Sequence, residues 1–209
     1  MTKKISIINY GVGNILSIKN AINHLGFDAL LTSNKDEILS STHVILPGVG
    51  SFPPAMQKIK DLKLINTLDE VSKKGVFILG ICLGMQILFN HSYEIKKTEG
   101  LRLLDGEVKK LNNNQKKTIL KLPHIGWNNL NISDSDPILK NITKKDYFYF
   151  IHNYAVCNTG EQVKFTTTTY EQINFPALTW KKNIYGCQFH PEKSATSGLK
   201  LLENFINLN

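Results

Sequence analysis

Residues Val76 to Gln86 read V-F-I-L-G-I-C-L-G-M-Q, and no other stretch restricts the architecture of this chain as strongly. The apolar run 76–79 fits a strand buried on both faces, as in a parallel sheet covered by helices. Gly80, Cys82 and Gly84 follow at alternate positions, and helix formers resume from Met85 to Phe89. A strand that enters a helix through G-x-C-x-G is the thiol form of a nucleophile elbow. Glycines flank the bend because it is too tight for bulky neighbours. The bend lifts the Cys82 side chain above the sheet edge, at a helix N-terminus whose free N–H groups favour a thiolate and an oxyanion. A buried structural cysteine is the ordinary fate of a lone Cys, but it does not require this frame.

The segments before the elbow repeat one pattern. Residues 5–9 form a first strand, the turn Gly11-Val-Gly-Asn14 follows, and Ile15, Ile18, Ile22 and Leu25 then recur at helical spacing up to Gly26. A dinucleotide fingerprint is excluded, because Leu16 stands where G-x-G-x-x-G needs its third glycine. Residues 29–32 are strand two, and Ser33-x-x-Asp36 reads as a capping box before a short helix. Residues 43–46 are strand three. It runs into Pro47-Gly-Val-Gly50, either an ordinary turn or a loop whose N–H groups face an anion. Ile65, Leu68 and Val71 mark a helix over 62–74. Alternating strands and helices predict an α/β, doubly wound, mostly parallel sheet with its site at the carboxyl ends of the strands. The glycine turn at 11–14, the loop at 47–50 and Cys82 all fall there.

The second half is richer in β-branched and aromatic residues with Asn, Lys and Asp turns. Strands are expected over 107–111, 118–120, 127–130, 147–152, 163–170, 176–180 and 184–188, as a mixed or antiparallel extension of the sheet. One helical turn is expected at 136–140 and a closing helix at 199–206. No linker, repeat or low-complexity tract interrupts residues 1–209, so a single domain is expected.

Composition narrows the function. No apolar run is long enough to span a membrane. The opening Met-Thr-Lys-Lys and the strand after it lack a leader's apolar stretch and cleavage site, so the sequons at Asn131 and Asn141 carry no meaning. Three cysteines (Cys82, Cys157, Cys187) cannot all pair with one another and show no metal spacing, which suits a reducing cytoplasm without a metal. The net charge of +8 comes from scattered lysine pairs rather than one basic helix with interleaved aromatics. That pattern suits a solvated surface or an acidic protein partner, not nucleic acid.

A thiol nucleophile needs a base. Of the six histidines, His190 stands out in Gln188-Phe-His-Pro-Glu192: it ends a strand that Pro191 stops, and Glu192 can reach back to orient the ring. His24 and His43 lie in a helix and a strand and read as non-catalytic. His124 and His152 can line the pocket.

These residues carry a resemblance. Gly80-Ile-Cys-Leu-Gly-Met-Gln86 with Gln188-Phe-His-Pro-Glu192 resembles the class I (triad) glutamine amidotransferase family. The nearest branch is the glutaminases that serve imidazole glycerol phosphate synthesis in histidine biosynthesis. The branch marks are Asn9-Tyr-Gly-Val-Gly-Asn14, Pro47-Gly-Val-Gly-Ser-Phe52, Met85, Pro123-His-Ile-Gly-Trp-Asn128, Tyr149-Phe-Ile-His-Asn-Tyr154 and Gln188-Phe-His-Pro-Glu-Lys-Ser194. The resemblance implies a flavodoxin-like sheet and hydrolysis of glutamine through a γ-glutamyl thioester on Cys82, with His190 as base and Glu192 as its orienter. It implies an oxyanion hole from the backbone N–H groups of Leu83 and, after a loop flip, Val49. Gly50, Gln86, Asn153 and Tyr154 would hold glutamine. Asn14, Trp127, Tyr149 and Lys193 would face a (β/α)8-barrel synthase subunit in a heterodimer, to which ammonia passes. No cofactor is implied. Three departures stand out: Asn9 where the family usually has Asp, Asn153 where it usually has Ser or Thr, and Ala195 where it usually has Gly. These leave open a paralogue that feeds ammonia to another acceptor. A silent scaffold and a cysteine protease or deglycase are the remaining rivals on this fold.

Overall fold

The computed structural model describes residues 3–111, 121–132 and 135–209. Its first half alternates as expected: β1 (Ile5–Ile8), α1 (Ile15–His24), β2 (Ala29–Thr32), α2 (Lys35–Leu39), β3 (His43–Leu46), α3 (Phe52–Asp61), α4 (Leu64–Lys73), β4 (Phe77–Ile81) and α5 (Leu83–Ile87). The second half holds β5 (His91–Ser92), β6 (Thr98–Glu99), β7 (Glu107–Lys110), β8 (His124–Asn129), β9 (Tyr147–His152), β10 (Tyr154–Cys157), β11 (Lys164–Tyr170), β12 (Ile173–Lys181), β13 (Ile184–Cys187) and α6 (Ala195–Ile206). Single 3-10 turns lie at Pro137–Leu139 and Pro191–Lys193.

Seven strands form the main sheet in the order β2–β1–β3–β4–β13–β12–β11. The run from β2 to β13 is parallel, and β12 and β11 add an antiparallel edge. Successive residues of the inner strands face opposite sides, and both sides are covered. Ile5, Ile7, Ile45, Leu79 and Ile81 pack with Ile18 and Ile22 of α1 and Leu201, Leu202 and Phe205 of α6. Ile8, Val44, Leu46 and Ile78 pack with Phe52, Ala55, Met56 and Ile59 of α3 and Leu68 and Val71 of α4. Burial on both faces is why these strands carry almost no polar residues. Two exceptions, Ser6 and His43, are buried but bonded, Ser6 to Ser41 Oγ at 2.8 Å and His43 Nδ1 to Thr42 Oγ1 at 2.9 Å.

Several boundaries differ from the sequence reading. The helix expected over 62–74 is α4 alone. A separate α3 precedes it, and Lys63 between them adopts a left-handed φ of 57° that ends one helix before the next begins. The two prolines of α3 sit at its first turn, where the missing N–H costs nothing. Asn34, not Ser33, caps α2, accepting from the N–H groups of Asp36 and Glu37. The closing helix begins at Ala195.

Of the strands expected to extend the sheet, β13, β12 and β11 join it, the last two as its antiparallel edge, while the other described ones form two smaller sheets beside it. β7 pairs with β10, which was not anticipated, and with β5, in a second sheet ordered β10–β7–β5–β6. Its Val108 and Val156 share a core cluster with Leu83 and Met85, so this sheet covers the elbow helix. β8 and β9 form a separate antiparallel pair that buries Phe148 and Phe150 against Phe189. The strand expected at 118–120 lies outside the described residues.

Candidate active site

Cys82 links β4 to α5 with φ 54° and ψ −109°, a backbone that a side-chain-bearing residue rarely adopts. The bend is held by its own N–H, which donates to the Cys187 carbonyl at 2.7 Å. Close approach explains the flanking glycines: a Cβ on Gly84 would lie 1.9 Å from the Leu46 carbonyl oxygen, and one on Gly80 2.6 Å from the Gly84 carbonyl oxygen. Leu83 opens α5, where no carbonyl lies one turn back to take its N–H.

Parallel pairing of β13 with β4 brings the second half of the chain to the bend. Ile81 lies opposite Cys187, so the residues after Cys187 emerge beside Cys82. Gln188 places its Nε2 3.7 Å from Cys82 Sγ, and the Ile151 carbonyl oxygen lies 3.9 Å from the sulfur. His190 leaves the strand with its N–H donating to the Tyr149 carbonyl at 2.9 Å, and its own carbonyl accepts from Ser194 Oγ at 2.6 Å. Pro191 starts a tight turn, which returns Glu192 to His190 Nδ1 at 2.8 Å. Asn14 Nδ2 donates to the same Glu192 oxygen at 3.4 Å. Burial pushes His190 down, but hydrogen bonds to Cys82 and Glu192, reinforced by their charges, override it and lift His190 to about 10. An imidazolium is therefore favoured beside the sulfur. Burial pushes the neighbouring Cys187 thiol well up, which leaves that cysteine inert.

A cleft of about 310 Å³ opens over Cys82. Of the residues expected there, Val49, Gly50, Leu83, Gln86, Asn153, Tyr154 and His190 all line it, and so does Lys193, which was expected at the partner face. Glu192 stands behind His190 with a fully buried side chain, and Asn14 stands behind Glu192. Trp127 and Tyr149 do not line the cleft. They meet edge to face at 5.8 Å on the β8–β9 pair, with Trp127 half exposed. Both amide hydrogens of Gln86 are used inside the protein, on the Tyr154 carbonyl and on Gln188 Oε1, each at 2.9 Å. Towards the cleft Gln86 therefore offers an acceptor oxygen.

The loop after β3 is pinned by Tyr10, whose hydroxyl donates to the Pro47 carbonyl at 2.6 Å. Val49 stands exposed at the rim, and Gly50 takes a φ of 92°. Asn9 accepts from the Gly11 N–H at 3.3 Å, an Asx turn that an amide serves as well as a carboxylate.

Glu94 was not anticipated. It lines the cleft and accepts from the Phe52 N–H at 2.7 Å, capping α3 in place of Ser51. It sits between two two-residue strands and belongs to no motif, so its only sequence signal was being a carboxylate. His152 also lines the cleft. Its Nδ1 faces the Tyr154 carbonyl at 2.9 Å and its Nε2 faces His124 Nδ1 at 3.0 Å, while Asn128 Nδ2 lies 3.1 Å from His124 Nε2. Donors and acceptors in this row balance only if His152 carries its proton on Nδ1 and His124 on Nδ1, both neutral. Burial agrees, holding His124 at about 4; for His152, burial, helped by the nearby His190 charge, outweighs the Tyr154 bond and gives about 3.

The profile of the glutamine amidotransferase class-I family matches residues 6–208. The chain is 43% identical over 205 residues to the imidazole glycerol phosphate synthase subunit HisH of Lactococcus lactis subsp. lactis (strain IL1403), covering 98% of each. It is 43% identical over 201 residues to the HisH subunit of Caldanaerobacter subterraneus subsp. tengcongensis, covering 96% of each. Among solved structures, a glutamine amidotransferase superposes with a TM-score of 0.74 at 17% identity over 97% of this chain and 96% of that one. The PurLQS structure from Thermotoga maritima gives 0.70 at 19% identity over 99% of each. At these identities the structures establish the fold.

Proposed function

The chain belongs to the class I glutamine amidotransferases, and from that premise we propose that it is the glutaminase subunit of an imidazole glycerol phosphate synthase. The observation that carries this reading is the row Cys82–His190–Glu192 at one end of a 310 Å³ cleft. Cys82 attacks the side-chain amide carbon of glutamine. His190 returns a proton to the departing ammonia, and a γ-glutamyl thioester remains. Water, deprotonated by His190, then displaces the sulfur and releases glutamate.

Glu192 keeps the proton of His190 on Nδ1, which leaves Nε2 for the sulfur and the leaving group. The oxyanion of each tetrahedral intermediate lies at the N-terminus of α5, where the Leu83 N–H meets it. Val49 supplies the second donor after its peptide flips, a change that Gly50 permits. Glutamine lies along the cleft, with its ammonium on the Glu94 carboxylate and the Gln86 oxygen and its carboxylate towards Gly50, Asn153 and Tyr154.

The partner is a (β/α)8-barrel synthase subunit that docks on the face carrying Asn14, Trp127, Tyr149 and Lys193. Ammonia passes into it and converts a phosphoribulosyl formimino nucleotide to imidazole glycerol phosphate and an aminoimidazole carboxamide ribotide. Residues 1–209 act as one domain in the cytoplasm, in keeping with three free cysteines. No helix among the described residues is long and apolar enough to cross a membrane.

Ammonia release from glutamine by the chain alone and with the barrel subunit tests the assignment. Release that rises on adding the barrel and its nucleotide, together with a co-purifying heterodimer, is expected. An unchanged rate and no complex would overturn the partner.

A further inference from the structure

Cys82 has a second buried neighbour that the triad leaves out. Gln188 is fully buried at the end of β13, its N–H donating to the Ala177 carbonyl at 2.8 Å. The surrounding bonds fix which way its amide points. Gln86 Nε2 has two hydrogens; one goes to the Tyr154 carbonyl and the other can meet only an acceptor on Gln188. Gln188 must therefore turn Oε1 to Gln86, and its NH2 is left facing Cys82 Sγ at 3.7 Å. A flipped amide would set two NH2 groups against each other and leave an oxygen facing the sulfur, which disfavours a thiolate.

We propose that Gln188 is the donor that holds the Cys82 sulfur as a thiolate and fixes its position, acting from a side other than His190. Resting on the glutaminase reading, this adds a residue to that site. It also gives the site an internal link: the backbone at Tyr154, on the glutamine-binding segment, is joined through Gln86 and Gln188 to the reacting sulfur. Moving that segment without Gln86 following it would break the row. The titratable and charged groups around the sulfur are His190, Glu192, Lys193, His152, Glu94, Tyr10 and Cys187, and each of them is retained when Gln188 is replaced.

Carboxamidomethylation of Cys82 by iodoacetamide reads thiolate directly, on the full-length chain, by mass of the peptide that contains Cys82. Gln188→Leu removes the donor. Gln188→Glu keeps the size and the acceptor for Gln86 but turns an oxygen to the sulfur. At pH 7 both variants are expected to react about tenfold more slowly than the parent, the low end for a hydrogen bond to a charged group. With the partner present, kcat for glutamine should fall while KM stays within about twofold, because Gln188 touches sulfur rather than substrate. Should Gln188→Leu not fold, Gln188→Glu carries the test.

Alkylation at the parental rate in a folded variant, or a change in KM alone, would overturn the role of Gln188. Alkylation uses neither glutamine nor partner. A parent chain that fails to hydrolyse glutamine would therefore sink the glutaminase reading and leave the alkylation result to decide this one.

Discussion

His190 Nδ1 and Glu192 Oε1 lie 2.8 Å apart, and the Glu192 side chain is sealed from solvent behind the imidazole. A buried carboxylate in this position fixes both the ring's orientation and its tautomer. It also shares with Cys82 the work of holding the ring cationic against burial. Glu192→Gln keeps the shape and removes the charge. It is expected to lower kcat for glutamine hydrolysis on the order of 10²-fold with little change in KM. Steady-state kinetics with the partner subunit measure both.

The other buried histidines set the acid limit of the fold. His43 and His124 bind a proton near pH 6.5 when unfolded but only near about 4 when folded, and His152 near about 3. Burial is the main cause at all three. Between these values the unfolded chain holds more protons, so the contribution of these three histidines is full above pH 6.5 and declines as the pH falls towards 4, whereas that of His190, held at about 10, is full below 6.5 and lost only as the pH rises towards 10. Thermal midpoints measured from pH 7.5 to 4 should trace that decline. A His124→Gln variant should show a shallower slope.

Ala195 opens α6 with a φ of 46°, a left-handed backbone that a Cβ disfavours by about 1–2 kcal/mol. A glycine here would be free of that strain but would add about 0.4–1 kcal/mol of unfolded-state entropy. Ala195→Gly is thus expected to stabilise the protein modestly, by about 0.5–1 kcal/mol. Urea denaturation reads the difference.

Gly84 has no room for a methyl group, since its Cβ would stand 1.9 Å from the Leu46 carbonyl oxygen. Gly84→Ala must push α5 away from β3, at a cost of about 3 kcal/mol, the upper end of ordinary overpacking. A lowered urea midpoint with loss of glutamine turnover is the expected outcome.

How far the sequence could be read depends on how local each signal is. The elbow was legible because strand, bend and helix lie within eleven residues and each carries its own mark. His190 and Glu192 were legible because Pro191 stops the strand and forces the turn between them. The helix α3 was hidden by Pro53 and Pro54, although Phe52, Ala55, Met56 and Ile59 keep a helical period. The strand β10 follows β9 with only Asn153 between, so no turn residue announced it. Glu94 depends on β5 and β6, two-residue strands formed only by distant pairing, and no local pattern specifies those. The amide orientation of Gln188 is set by the Gln86 side chain and the Tyr154 carbonyl, which come from different parts of the chain, so it could be read only from the assembled site.

Everything rests on Cys82 reacting with glutamine while the partner makes product from the released ammonia. Replacing Cys82 with Ala in the assembled complex and assaying product from glutamine and from added ammonium salt separates the two steps. Glutamine-driven synthesis should disappear and ammonium-driven synthesis should continue at the parental rate. Retained glutamine-driven synthesis, or equal loss of both, would contradict the account.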